Sequence, residues 1–135
     1  MTQEPLEDIV ETRREIVFPN DANHLGTLFG GKALAMMDIT ASIAALRATR
    51  KPVVTASIDR TDFKEPVYVG EFAEVVARIV RVGRTSLQLE VELWAENPLT
   101  GVRRLSTVGK FTMVALGPDG RPTPIRSPQP PTQPG

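Results

Sequence analysis

The sequence predicts an α+β domain in which a curved antiparallel sheet wraps around one long central helix. Three observations carry this expectation. Residues 32–48 contain no Gly or Pro and are rich in Ala, Leu and Met, a composition suited to a long helix. Beyond residue 52 the pattern changes to period two, clearest where Leu87, Leu89, Val91, Leu93 and Ala95 alternate with Gln88, Glu90, Glu92, Trp94 and Glu96. Short turns at Gly83-Arg84 and at residues 97–101 separate consecutive strands, which must then pair antiparallel.

Each element follows in order. A weak strand is expected at 11–18, and Gly30 and Gly31 mark the start of the helix. At 100° per residue Leu34, Asp38, Ala41 and Ala45 share one helix face, and the opposite face, with Met36 and Ile43, is apolar too. A helix apolar nearly all round must be buried, so it needs the sheet and a partner subunit to cover it. Val54, Ala56 and Ile58 then alternate with Thr55, Ser57 and Asp59. Strands follow at 71–82, 85–96 and 103–116, the last with Leu105, Phe111 and Met113 on one face. The order β-α-β-β-β-β around a single helix is a hotdog architecture. It is expected to occupy residues 11–116, after a polar lead-in at 1–10. Residues 117–135 hold seven of the twelve prolines and are expected to form a disordered tail.

Composition excludes several functions. At 135 residues the chain suits one domain. Sixteen basic against sixteen acidic residues leave no net charge, which argues against a general nucleic-acid or acidic-membrane binder. With no Cys and one His, thiol chemistry and the usual metal sites are unavailable, so no metal site is expected. No apolar signal core and no spanning run occur, so the expected location is the cytoplasm, without membrane insertion.

Within the chain, Gly26–Ala33 comes close to a phosphate-binding P-loop. Ala33 stands where a magnesium-binding hydroxyl is required, however, and no hydrophobic strand feeds the loop. The glycines suit a simpler use, close approach of a ligand to the free N–H groups of a helix start. Asp38 is the most informative residue. An acid amid Ala and Leu is either a structural ion-pair member or a catalytic base at the floor of an apolar cleft. Asn23 is a turn residue whose amide could orient a water or a substrate oxygen. His24, in the same polar loop, is weak evidence for a base. Arg84, Thr85 and Ser86 at a strand turn suit a phosphate. Trp94, with Val76 and Val80, is expected to face outward as a contact between subunits.

The run Phe-Pro-Asn-Asp-Ala-Asn-His-Leu-Gly-Thr-Leu-Phe-Gly-Gly-Lys at 18–32, Met-Met-Asp at 36–38, residues 53–71 and Val-Gly-Arg-Thr-Ser at 82–86 together resemble a known family. It is the hotdog-fold acyl-CoA thioester hydrolases, the branch of the brain-type cytosolic acyl-CoA hydrolase and its small bacterial relatives. The resemblance runs from about residue 13 to 115. It implies that Asp38 is the catalytic helix acid and that Asn23 works with the Asp of a dimer partner. It also implies that the amides at Gly30 and Gly31 face the thioester carbonyl, and that the turn bearing Arg84, Thr85 and Ser86 lies near the CoA nucleotide. Arg60 and Lys64 are further cations for that polyanionic end. The expected reaction is hydrolysis of fatty acyl-CoA to fatty acid and CoA, by attack of water assisted by Asp38 or of Asp38 itself. CoA belongs to the substrate and no cofactor is expected. The expected assembly is a dimer at minimum, with a tetramer or hexamer of hotdog units favoured. Two other readings use the same fold. A non-enzymatic acyl-CoA sensor would normally carry a helix-turn-helix, which no segment here can form. A hydroxyacyl-thioester dehydratase would use His24 and Asp38, but its His-Phe-Pro signature is absent.

Overall fold

The computed structural model describes residues 5–126. Its five strands are β1 (Val10–Ile16), β2 (Val53–Phe63), β3 (Phe72–Val82), β4 (Ser86–Glu96) and β5 (Arg103–Ala115), and its long helix is α1 (Gly30–Thr49). The strands form one antiparallel sheet in the order β1-β3-β4-β5-β2. β3–β4 and β4–β5 are neighbours, as their short turns require. β2 and β3, joined by no such short turn, do not pair. Residues 64–71 are long enough to carry the chain across, so β2 pairs β5 at one edge and β1 pairs β3 at the other.

The core lies between α1 and the concave face of the sheet. Leu87, Leu89, Val91, Leu93 and Ala95 point into it from β4, with Ala73, Val75, Ala77 and Ile79 from β3 and Phe111 and Met113 from β5. α1 answers with Met36, Met37, Ala41, Ala44 and Ala45, whose alanines let the helix settle close to the sheet. Each fully buried Leu or Phe contributes about 1.5–3 kcal/mol of transfer free energy. The helix ends where Arg50 adopts a left-handed conformation (φ 53) ahead of Pro52, its N–H donating to the Leu46 carbonyl. Burial is one-sided within a single chain. Ile39 and Leu46 on α1 and Val54 and Ile58 on β2 remain exposed. β2 is irregular, with register shifts at Thr55/Ser57 and Asp59/Asp62, while Val53 and Thr55 alternate toward the helix ahead of the first shift.

Two expectations need correction here. Val76 is buried rather than an outward contact, flanked in register by Thr12 and Glu92. Trp94 does lie on the outer face, half-buried under the Arg103 guanidinium 4.7 Å from its ring centroid, and Val80 is exposed. Packing also continues past residue 116. Leu116 and Pro122 form a bridge, Ile125 enters the core, and its N–H donates to the Arg84 carbonyl at 2.9 Å. Residues 1–4 of the expected lead-in and 127–135 of the expected tail lie outside the described residues.

Candidate active site

Two groups of residues, at different heights on α1, gather the chemistry. The first is the segment that leads into the helix. After the 3-10 turn Pro19–Asp21, the Asn23 side-chain Oδ1 accepts from the N–H of Leu25 (2.9 Å), the N–H of Thr27 (3.2 Å) and the Thr27 hydroxyl (3.1 Å). Its carbonyl is thereby committed to shaping the loop. The NH₂ has no partner among the described residues and is available to a ligand or water. His24 is exposed in the same loop. The Phe29 N–H donates to the Asp21 carbonyl and the Ala33 N–H to the Phe29 carbonyl. Among the described residues no side chain caps α1, and the N–H groups of Gly30, Gly31 and Lys32 point out of the helix start without a partner there. A Cβ on Gly31 would meet nothing within 4 Å, so the approach to these amides is open. Lys32 Nζ lies 3.3 Å from Asp21 Oδ1 and braces the same turn.

A cleft of about 330 Å³ opens beside the helix start, with Leu28, Ala33, Phe63, Pro66, Val67 and Leu93 among its walls and Ser106 and Thr107 as polar lining. Lys64 also lines it, which places that expected cation at the cleft rather than beside Arg84. Arg60 is exposed at the second irregularity of β2, with φ 47, and faces Asp62 at 3.6 Å.

The second group is Asp38 with Thr55. Asp38 stands two turns further along α1, half-buried, and its Oδ1 accepts the Thr55 hydroxyl at 2.6 Å. Its Oδ2 accepts nothing from a described residue, and no cation pairs with it there. Asn23 and Asp38 of one chain share no hydrogen bond. Arg84, Thr85 and Ser86 form the β3–β4 turn, which lies toward the Asp38 end, since Thr55, Met113 and Leu87 share one row of the sheet. That turn is held from behind by bonds to the Arg84 and Thr85 carbonyls, leaving the Arg84 side chain exposed.

Thr55 is the residue that sequence reasoning missed. So is the pair Glu71–Arg104, in which Arg104 donates from both nitrogens of its fork to the buried Glu71 carboxylate at 2.9 and 2.8 Å. The Arg104 hydrogen bonds, assisted by the Tyr68 N–H, hold that carboxyl below its ordinary range against the opposing effect of burial. Among the described residues no group of three or more His, Cys, Asp or Glu is placed to hold a metal, and no helix is long and apolar enough to cross a membrane.

Comparison with known proteins puts this geometry in context. The thioesterase superfamily profile matches residues 25–102. The chain belongs to that superfamily, and its fold is the hotdog of its relatives. It is 38% identical over 117 residues to the uncharacterized acyl-CoA thioester hydrolase YkhA of Bacillus subtilis, covering 87% of this chain and 67% of that one. It is 36% identical over 116 residues to the acyl-CoA thioester hydrolase YciA of Salmonella typhimurium, covering 83% and 86%. An apo-hexameric acyl-CoA thioesterase superposes with TM-score 0.85 at 42% identity, covering 90% of this chain and 78% of that one. The Staphylococcus aureus acyl-CoA hydrolase, solved with butyryl coenzyme A and coenzyme A, gives TM-score 0.83 at 31% identity over 88% and 73%. That enzyme was also solved with an asparagine, an aspartate and a threonine each replaced by alanine. Those three positions are fifteen and seventeen residues apart, the spacing of Asn23, Asp38 and Thr55 here.

Proposed function

We propose that this chain hydrolyses acyl-CoA thioesters to fatty acid and CoA, with Asp38 as the base. The observation that carries this reading is the Asp38 carboxylate. It is anchored through one oxygen by Thr55 and open at the other, at the spacing of the aspartate and threonine replaced in the Staphylococcus aureus hydrolase. In this mechanism Oδ2 takes a proton from water as the water oxygen attacks the thioester carbon. The helix-start N–H groups at Gly31 stabilise the oxyanion, an effect worth about 3–4 kcal/mol per donor. Collapse breaks the C–S bond, and the thiolate recovers the proton from Asp38, leaving free acid and CoA. The Asn23 NH₂ orients the water or the carbonyl. These groups complete the chemistry without a cofactor.

The proposed active unit is at least a dimer, and a hexamer is favoured by the hexameric assemblies of structural relatives. Asn23 and Gly31 of one subunit would face Asp38 and Thr55 of the other. The exposed Ile39, Val54 and Ile58, together with the unpaired edge of β2, support such an assembly. Arg84, Thr85 and Ser86 are assigned to the CoA nucleotide, with Gly30 near the thioester. Lys64 at the cleft and the more distant Arg60 are secondary cations.

A thiol-release assay over a panel of acyl-CoAs tests the activity: thiol must appear in step with free acid. A protein that binds acyl-CoA and releases none is a sensor. Mixing Asn23→Ala with Asp38→Asn should recover part of the activity in mixed assemblies, and no recovery would place both residues in one subunit's site.

A further inference from the structure

The segment 64–71 does more than connect β2 to β3. On one side it is fastened to β5. Arg104 forks onto Glu71 and donates to the Pro66 carbonyl at 3.0 Å, while the Ser106 carbonyl accepts from the N–H groups of Lys64 and Glu65. On its other side it carries the loop of Asn23. The Val69 N–H donates to the Gly26 carbonyl, the Leu28 N–H donates to the Val67 carbonyl, and Thr27 bridges to Tyr68. Gly26, Thr27 and Leu28 are the residues that fix Asn23 and lead into the helix start. The same segment supplies Lys64, Glu65, Pro66 and Val67 to the cleft wall.

We propose that Arg104 and Glu71 are positioning residues for the reaction: their fork holds segment 64–71, which in turn fixes Asn23 and the near wall of the cleft. This rests on the reading of Asn23 as a site residue given above. A chain of fixed backbone contacts leads from the guanidinium to Asn23. A displacement of about 1 Å at a positioned group can cost as much as a hundred-fold in rate. Arg103 supplies an internal control. It also pairs with a buried glutamate, Glu74, but on the outer face of the sheet beside Trp94, with no hydrogen bond to either site loop.

The experiment compares Arg104→Met, Arg104→Lys and Arg103→Met, each with wild-type Asn23 and with Asn23→Ala. Melting temperature, kcat and KM are read on one acyl-CoA. Arg104→Met should lower kcat about ten- to a hundred-fold in protein that is fully folded at the assay temperature. Arg104→Lys, which keeps the charge but loses the fork, should cost less. Arg103→Met should lose thermal stability with kcat within about two-fold of wild type. Adding either Arg104 substitution to Asn23→Ala should cost little more than Asn23→Ala alone, because the two act through one group. Full additivity, or an unchanged kcat in folded Arg104→Lys, overturns the positioning role and leaves the Asn23 assignment standing. A silent Asn23→Ala overturns both. If Arg104→Met does not fold, the Arg104→Lys cycle decides.

Discussion

Three carboxylates of this chain leave water to different extents, and the fold answers them differently. Glu71 is 8% exposed and Glu74 5% exposed, and each meets arginine: Arg104 on Glu71, Arg14 and Arg103 on Glu74. Asp38 is only half-buried, yet it receives a hydroxyl in place of a cation and keeps one oxygen open. Burying a carboxylate without a partner costs several kcal/mol, so the two glutamates could not sit where they do without their guanidinium groups. Asp38 avoids most of that cost by being only half-buried, with Oδ2 left without a protein donor among the described residues. A carboxylate saturated by a guanidinium fork is a poor proton acceptor. One held by a single neutral donor is oriented and still able to take a proton.

The sharpest way to break this contrast is Asp38→Asn. It preserves shape and the hydrogen bond to Thr55 but removes the base, so kcat should fall roughly 10²–10⁴-fold with the melting temperature unchanged. Unfolding of this variant would instead class Asp38 with the structural acids. Thr55→Ala comes next. Loss of the hydroxyl frees the carboxylate to rotate, and kcat should fall roughly ten- to a hundred-fold, the worth of a hydrogen bond to a charged group. KM should hardly move, because Thr55 acts on Asp38 rather than on the bound nucleotide. A KM change that accounts for the whole loss would make Thr55 a substrate contact.

How much of this was legible in the sequence depends on the range of the physics involved. The helix and β3, β4 and β5 were readable because composition and period two are local properties. Asp38 was readable because an acid in an alanine-rich helix violates its surroundings. Thr55 was not, since a threonine in a strand is ordinary and gains meaning only when β2 packs on α1. Glu71 and Arg104 lie 33 residues apart and look like surface charges until the sheet brings them together. The position of β2 beside β5 depended on what residues 64–71 pack against, which no local pattern reports. Ile125 hid among prolines, where one apolar residue gives no periodicity. The pairing of Asn23 with Asp38 came from resemblance, because no local pattern reports which residues meet across a subunit boundary.

A smaller effect is expected at Arg84. Its side chain is exposed on a turn whose carbonyls are pinned by Ile125 and Ala115, so it presents a charge on a rigid mount. Arg84→Ala should raise KM several-fold and leave kcat nearly constant, because it removes binding common to the ground and transition states. The wild-type KM should also rise with ionic strength more steeply than that of the variant, since an exposed charge is screened. Equal KM values would remove Arg84 from the nucleotide site.

The smallest expected effect is a pH dependence of stability at Glu71. The Glu71 carboxyl is held below its ordinary range, first by the Arg104 hydrogen bonds. A carboxylate with a lowered folded pKa binds fewer protons in the native state than in the unfolded chain, where its value is about 4.3. Its contribution to stability is therefore fully present above that unfolded value and is lost as pH falls through the lowered folded one. Glu71→Gln cannot titrate, so its stability should lie below wild type at neutral pH and converge toward it in acid. Urea midpoints taken from neutral pH down through the carboxylate range read both curves. A constant gap for Glu71→Gln would show that its loss comes from packing rather than charge.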